Sequence, residues 1–242
     1  MRILALETSA KSVSCAVTED GMVLARSFQC AGLTHSRTLL PMVDAMLQNA
    51  EIPPESMDLC AVAAGPGSFT GLRIGVSAVK GLAWAADKPC VGVSTLYAMA
   101  QNLAHISTSE GALLICAMDA RRQQVYNALF EAKNGALTRL CDDRAIGLDA
   151  LTAELAGDAR RKLVLGDGAL LAYGHLTAHG VACELAPAAL RYQDAVGVAL
   201  AAEEAAQRGE TVSAQELAIA YLRVSQAERE RLARLEANQN KG

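Results

Sequence analysis

Residues 63–86 read AAGPGSFTGLRIGVSAVKGLAWAA, and the fold of this 242-residue chain turns on how that stretch is parsed. A short apolar run, Leu59 to Ala64, stops at Gly65, and an amphipathic pattern takes over at Leu72. The parse is strand, glycine loop, helix. Gly65, Gly67 and Gly71 lack a Cβ, so the backbone there can take positive φ and approach another segment or a ligand closely. Pro66 stiffens the loop between them. Leu72, Val76, Val79, Leu82 and Ala83 fall on one stripe of a helix from Leu72 to Ala86, with Gly71, Gly75, Ala78 and Ala85 nearby, so the helix can lie very close to a neighbour. Two readings of the loop stand side by side. Backbone N–H groups at a helix start bind phosphates, or the glycines serve packing. The stretch lacks the Gly-Lys-Ser/Thr ending of the phosphate-binding loop, which favours packing.

Upstream, Arg2–Leu6, Val13–Thr18 and Met22–Phe28 read as strands, with Asp20-Gly21 as the hairpin turn between the last two. The loop Glu7-Thr8-Ser9-Ala10-Lys11-Ser12 offers hydroxyls and a carboxylate that suit either a phosphate or an ordinary turn. Leu39, Met42, Val43, Met46 and Leu47 space an amphipathic helix within Thr34–Ala50, with Thr34 or Ser36 as N-cap. Pro41 implies a later start or a local distortion. His35 reads as a cap or surface residue.

Downstream, Cys90–Val93 is a strand, and Ser94 or Thr95 caps a helix through Ala104. The polar stretch His105–Gly111 marks a lobe boundary. The second lobe opens as the first does: strand Ala112–Met118, turn Asp119–Arg122, strand Gln124–Glu131, hairpin signal Asn134-Gly135, strand Ala136–Leu140. That echo predicts a duplicated architecture. There follow a helix capped by Asp149, a strand Leu163–Leu165, the Gly166-Asp167-Gly168 turn, a short helix to Tyr173, a strand Val181–Leu185 and a helix Ala195–Gln207 capped by Asp194. Ala227–Glu236 reads as a solvated helix, frayed at Asn238–Gly242. The division expected is 1–106, 107–212 and a C-terminal segment 213–242 that returns to the first lobe.

Composition narrows the class. Apolar residues make up 52%, yet the longest unbroken run, Ala112–Met118, is far short of the ~18 residues that cross a bilayer. A soluble protein without membrane contact or signal peptide is expected. The 7 cysteines are scattered without a CxxC, as buried thiols of a reducing cytoplasm would be. A net charge of −4 argues against a stand-alone nucleic-acid binder. The local basic clusters Arg121-Arg122, Arg160-Arg161-Lys162 and Arg229, Arg231, Arg234 read as solvated faces.

Taken together and in order, LALETSAKSVSCAV, HSRTLLPMVDAML, AAGPGSFTGLRIGVSAVKGLAWA, KPCVGVSTL, MDARRQQVYNALF and AYLR resemble the TsaB family of tRNA threonylcarbamoyladenosine biosynthesis proteins (YeaZ-type), related to the TsaD/glycoprotease family. The match is anchored over about the first 130 residues and returns near Tyr221. The resemblance implies an α/β, two-lobed actin-like or sugar-kinase-like fold, each lobe a mixed sheet with helices. It also implies a non-catalytic subunit that binds the catalytic TsaD and acts with the ATPase TsaE, meeting tRNA indirectly through the complex and pairing as a homodimer when alone.

The catalytic relative holds its metal with an HxxxH pair, and the matching positions here are Thr95 and Met99, neither a good ligand. No metal and no catalytic residue are therefore expected. His175 and His179, also four apart, read as loop or surface in the other lobe. No cofactor is expected beyond weak ATP or ADP binding, for which Glu7, Thr8, Ser9 and Asp119 are the candidates. The expected partner interface is the paired helices through Leu39, Met42, Val43, Met46, Leu47, Gly71, Leu72, Gly75, Val76, Val79 and Leu82, although the same stripe could pack on its own sheet. The alternative is an independent ATP-dependent small-molecule kinase or ATPase, with Glu7 and Asp119 as its acidic residues.

Overall fold

The computed structural model describes residues 1–104 and 111–223, and within it two mixed sheets repeat one strand plan. The first contains β1 (Arg2–Glu7), β2 (Val13–Glu19), β3 (Met22–Gln29), β4 (Leu59–Gly65) and β5 (Cys90–Ser94) in the order β3-β2-β1-β4-β5. The second contains β6 (Ala112–Asp119), β7 (Gln124–Lys133), β8 (Ala136–Arg139), β9 (Arg144–Gly147), β10 (Lys162–Leu165) and β11 (Glu184–Leu185). Its order is β11-β10-β6-β7-β8, with β9 also paired to β7. In each, antiparallel pairing on one side of the first strand gives way to parallel pairing on the other. The duplication expected from the sequence is thus present in the topology. Asp20-Gly21 and Asn134-Gly135 have positive φ at both residues, as tight hairpin turns require.

On one face of the first sheet lie α1 (His35–Asn49) and α2 (Phe69–Ala86), burying Leu39, Val43, Met46, Val76 and Val79 against Leu4, Leu6, Cys15 and Val62. α2 begins at Phe69, earlier than the apolar stripe suggests, because Ser68 Oγ accepts from the Gly71 N–H at 3.2 Å and caps it. α1 starts at His35 and runs through Pro41, which forgoes one intrahelical bond on the exposed side. Thr34 occupies the N-cap position without a side-chain cap.

The lobes exchange helices. α3 (Thr95–Gln101) follows β5, yet Leu96 and Met99 bury themselves against Leu114, Cys116 and Phe130 of the second sheet. α4 (Leu148–Leu155) and α5 (Ala169–Ala178) cover that sheet's other face. α6 (Ala195–Gln207), capped by Asp194 as expected, crosses back to pack Val198, Ala199, Ala201 and Ala202 on Ile3, Ala5, Ala16 and Ala61. The expected division put all of 107–212 in the second lobe; α6, within that range, packs its alanine-rich face on the first sheet. Where α3 and α6 touch, a Cβ on Gly197 would stand 2.0 Å from the Ala98 carbonyl oxygen, so glycine is required.

Other local expectations shift. α3 ends at Gln101 and not Ala104, and α5 extends past Tyr173 to Ala178. α4 is capped by Gly147, leaving Asp149 exposed in its first turn. The last strand shrinks to Glu184–Leu185, and β9 was not anticipated. Leu217 is buried in the first core, and Ala220 N–H donates to Ala64 O at 2.9 Å. The expected helix at Ala227–Glu236, its frayed end and most of the boundary at His105–Gly111 lie outside the described residues. Among the described residues no helix is long and apolar enough to cross a membrane.

Candidate functional site

The turns of the β1–β2 and β6–β7 hairpins face each other across a cavity of about 490 Å³. Ser9, Ala10 and Lys11 line it from one side, and Asp119, Ala120, Arg121 and Asp167 from the other. Pro66 to Thr70 and Ala220 to Arg223 complete the wall. Of the four candidate nucleotide residues, Ser9 and Asp119 reach this cavity. Glu7 and Thr8, both fully buried, are not among its lining residues. Thr8 Oγ1 donates to Gly71 O at 2.7 Å. Glu7 Oε1 accepts from the Ser9 N–H, while Oε2 has no partner. Burial pushes the Glu7 carboxyl up to about 7, against the opposing pull of the Ser9 hydrogen bonds.

Asp119 Oδ1 accepts from Arg121 N–H at 2.7 Å and pins a turn in which Arg121, Arg122 and Gln123 all have positive φ. Asp167 escaped the sequence reading. It stands between Gly166 and Gly168 at the end of β10, burial raises its carboxyl, and Gln193 Nε2 donates to its Oδ1 at 3.0 Å. The signal that could have found it is its place in a second strand–glycine–helix corner, the counterpart of Gly65–Gly71.

The glycine loop is a packing device. A Cβ on Gly67 would lie 2.6 Å from Ser9 O, one on Gly71 would lie 2.1 Å from Thr8 O, and one on Gly75 would lie 2.3 Å from Thr8 Oγ1. Two N–H groups that a phosphate could use are already engaged: Ser68 N–H donates to Ser9 O at 2.6 Å and Gly71 N–H to Ser68 Oγ.

The helix stripe chosen as a partner face belongs to the chain's own core. Leu39, Val43, Met46, Leu47, Gly71, Leu72, Gly75, Val76 and Val79 are buried, and Met42 and Leu82 pack against the same cluster. Most of this stripe covers the sheet beneath it, while Met42 and Leu82 stay half-buried and Leu39 reaches the groove between the two helices. A charged residue at Gly75 or Val43 would disrupt the fold itself. The outward faces of α1 and α2 present a groove of about 570 Å³ lined by Ser36, Leu39, Leu40, Phe69, Thr70, Arg73, Ile74, Ser77 and Ala78, with Leu40 51% exposed. Arg73 stacks 3.9 Å above Phe69 and donates to Tyr221 Oη at 3.2 Å, and Tyr221 stacks on Phe69 at 4.8 Å.

Thr95 (0% exposed) and Met99 (1%) lie in the core, Met99 among the apolar side chains of the second sheet. His35 Nε2 sits 2.7 Å from Ala10 O and fastens α1 to the first turn. His175 lies half-buried on α5, not in a loop, and His179 lies exposed at its C-cap, as the surface reading had it. Arg160 pairs with Asp158 and Arg161 with Glu184, while Lys162 is buried and bonded to backbone carbonyls, so that basic cluster is internally matched.

Comparison with known proteins places this geometry. The family model of TsaD, tRNA N6-adenosine threonylcarbamoyltransferase, matches residues 29–228. The tRNA threonylcarbamoyladenosine biosynthesis protein TsaB of Bacillus subtilis (strain 168) is 36% identical over 166 residues, covering 69% of this chain and 71% of that protein. The TsaB of Escherichia coli (strain K12) is 39% identical over 132 residues, covering 54% and 55%. The solved structure of YeaZ from Pseudomonas aeruginosa superposes with a TM-score of 0.77 at 28% identity, covering 91% of this chain and 99% of that one. The fold is the α/β, two-lobed arrangement, each lobe a mixed sheet with helices, that the sequence implied.

Proposed function

The chain belongs to the TsaB family of tRNA threonylcarbamoyladenosine biosynthesis proteins, kin to the TsaD family, and from that premise we propose that it is a non-catalytic subunit that docks on a TsaD-type catalytic subunit and acts with a TsaE-type ATPase. The observation that carries this reading is the chemistry at the positions matching the catalytic relative's histidine pair. Thr95 and Met99 offer a neutral hydroxyl and a thioether, both inside the core, where imidazoles on a reachable surface would be needed to hold a catalytic cation. Glu7, one of the two acids a kinase of this fold would use, is sealed behind its turn. The chain has no cofactor of its own in this reading, beyond weak ATP or ADP binding at the cleft, and works in the cytoplasm with its thiols reduced.

Docking is assigned to the outward faces of α1 and α2, around Leu40, Phe69 and Arg73, because that groove joins an exposed apolar side chain to a stacked aromatic and a cation, the residue types that dominate interface energetics. The same face pairs two copies when the partner is missing. Leu40→Asp changes an exposed position, so it leaves stability nearly unchanged. It weakens association with the TsaD-type subunit about tenfold or more in a calorimetric titration. Undiminished affinity removes this groove from the interface. Strong ATP turnover by the isolated chain restores the kinase alternative.

A further inference from the structure

The start of α4 and the end of α5 bring together three side chains that do not line the cleft: Asp149, His175 and His179. His175 Nε2 is 3.1 Å from Asp149 Oδ1, the two imidazole rings stack with centroids 4.3 Å apart, and one ligand atom from each residue lies within 4.8 Å of the others. Spacing of four residues on α5 sets the two rings on one face, a turn apart.

Two details prepare these atoms for a ligand. His179 Nδ1 lies 2.8 Å from the His175 carbonyl oxygen. A carbonyl only accepts, so Nδ1 carries the proton and, in the neutral ring, Nε2 holds the lone pair. Such a backbone contact on the second ring nitrogen is how metal-ligating histidines are oriented. His175 Nε2 is buried and makes no hydrogen bond; its one polar neighbour is Asp149 Oδ1 at 3.1 Å. Buried polar atoms are nearly always paired, and this one has only a carboxylate beside it, a pair of groups that an ion between them would satisfy.

We propose that Asp149, His175 and His179 bind a divalent transition-metal ion of the zinc class in the second lobe. Two imidazoles and a carboxylate suit zinc, cobalt or nickel and are a poor set for magnesium. Metal–ligand bonds of about 2.1 Å in a tetrahedron separate the ligand atoms by roughly 3.4 Å. The closure from 4.8 Å is available because the Asp149 side chain is 94% exposed and His179 is also at the surface. Three protein ligands leave a fourth position for water. The ion would tie the first turn of α4 to the end of α5. It would not restore the catalytic relative's metal, whose positions fall on α3.

The test uses the full chain stripped with chelator and titrated calorimetrically with Zn²⁺, with Mg²⁺ as the contrast. The expected result is one equivalent of Zn²⁺, affinity lowered about tenfold or more in His179→Ala and in Asp149→Ala, unchanged affinity in Cys30→Ser, which removes the exposed thiol, and no response to Mg²⁺. Zn²⁺ should raise the melting temperature of the wild type and not of His179→Ala, while the two melt alike in chelator. Absence of stoichiometric Zn²⁺ binding, or wild-type affinity in His179→Ala, overturns the proposal.

Discussion

The corner after β4 and the corner after β10 solve one problem twice. In the first lobe a Cβ on Gly71 would lie 2.1 Å from Thr8 O; in the second a Cβ on Gly166 would lie 2.1 Å from Ala117 O, and one on Gly168 would lie 2.7 Å from Asp119 N. Each time a helix start is pressed onto the backbone of the strand or turn that opens the lobe. The surroundings then diverge. The first corner is closed by the C-terminal segment, since a Cβ on Gly65 would lie 2.2 Å from Ala220 O, and its acid, Glu7, is sealed inside. The second leaves Asp167 lining the cavity. The glycines are a demand of the fold in both lobes and carry no information about a ligand. That information resides in the side chains between and beside them.

The hardest way to break the correspondence is to add one carbon at each corner. Gly71→Ala and Gly166→Ala both drive a Cβ into a carbonyl that cannot rotate away, and Gly166 has φ +106 as well. Overpacking of this kind, with added backbone strain at Gly166, costs each about 3 to 4 kcal/mol in urea denaturation. A loss below about 1 kcal/mol at one corner alone would show that the two are not equivalent.

The buried acids give the next largest contrast. The Glu7 carboxyl rises from 4.5 to about 7 on folding, so the native state holds that proton more tightly. Its stabilisation is fully present below about pH 4.5 and is lost as pH rises through about 7, on the order of 3 kcal/mol in all. Glu7→Gln keeps an oxygen for the Ser9 N–H and removes the titration. Its stability profile flattens across that window, and it exceeds the wild type at pH 8. Asp167 is raised in the same direction but faces the cavity, so Asp167→Asn flattens the profile less. Superimposable profiles for wild type and Glu7→Gln would mean that water reaches Glu7.

How far the sequence carried follows from what each signal measures. Strand, loop and helix around Gly65 were legible because alternation, glycine spacing and the Asp-Gly and Asn-Gly turns are local. β9 was not, since Arg144–Gly147 has little alternation and is held by its partner strand β7. The exchange of α3 and α6 between sheets was also hidden. Periodicity marks an apolar face without saying what it meets, and the small-residue fit between α6 and the first sheet joins segments far apart in the chain. The stripe from Leu72 to Leu82 was legible as apolar, and most of it meets the chain's own sheet, while the outward Leu40 and Arg73 carried no periodic mark. His175 and His179 were legible as a pair, but Asp149 joins them only once α4 and α5 are folded together.

The smallest effect separates packing from docking within a single helix. Gly81 lies inside α2, is exposed, and a Cβ there would meet nothing within 4 Å. Gly81→Ala therefore reverses the sign seen at Gly71: relieved of glycine's backbone entropy, the helix gains about 0.5 to 1 kcal/mol, a rise of roughly 1–4 °C in melting temperature. Position 81 also continues the outward line of Arg73 and Ser77, one turn beyond the groove. If a partner helix runs along that line at close range, the added methyl weakens association while it stabilises the free chain. Thermal melts and a binding titration on this one variant then move in opposite directions. If both improve or binding is indifferent, the contact ends before Gly81 and the groove near Leu40 carries the docking by itself.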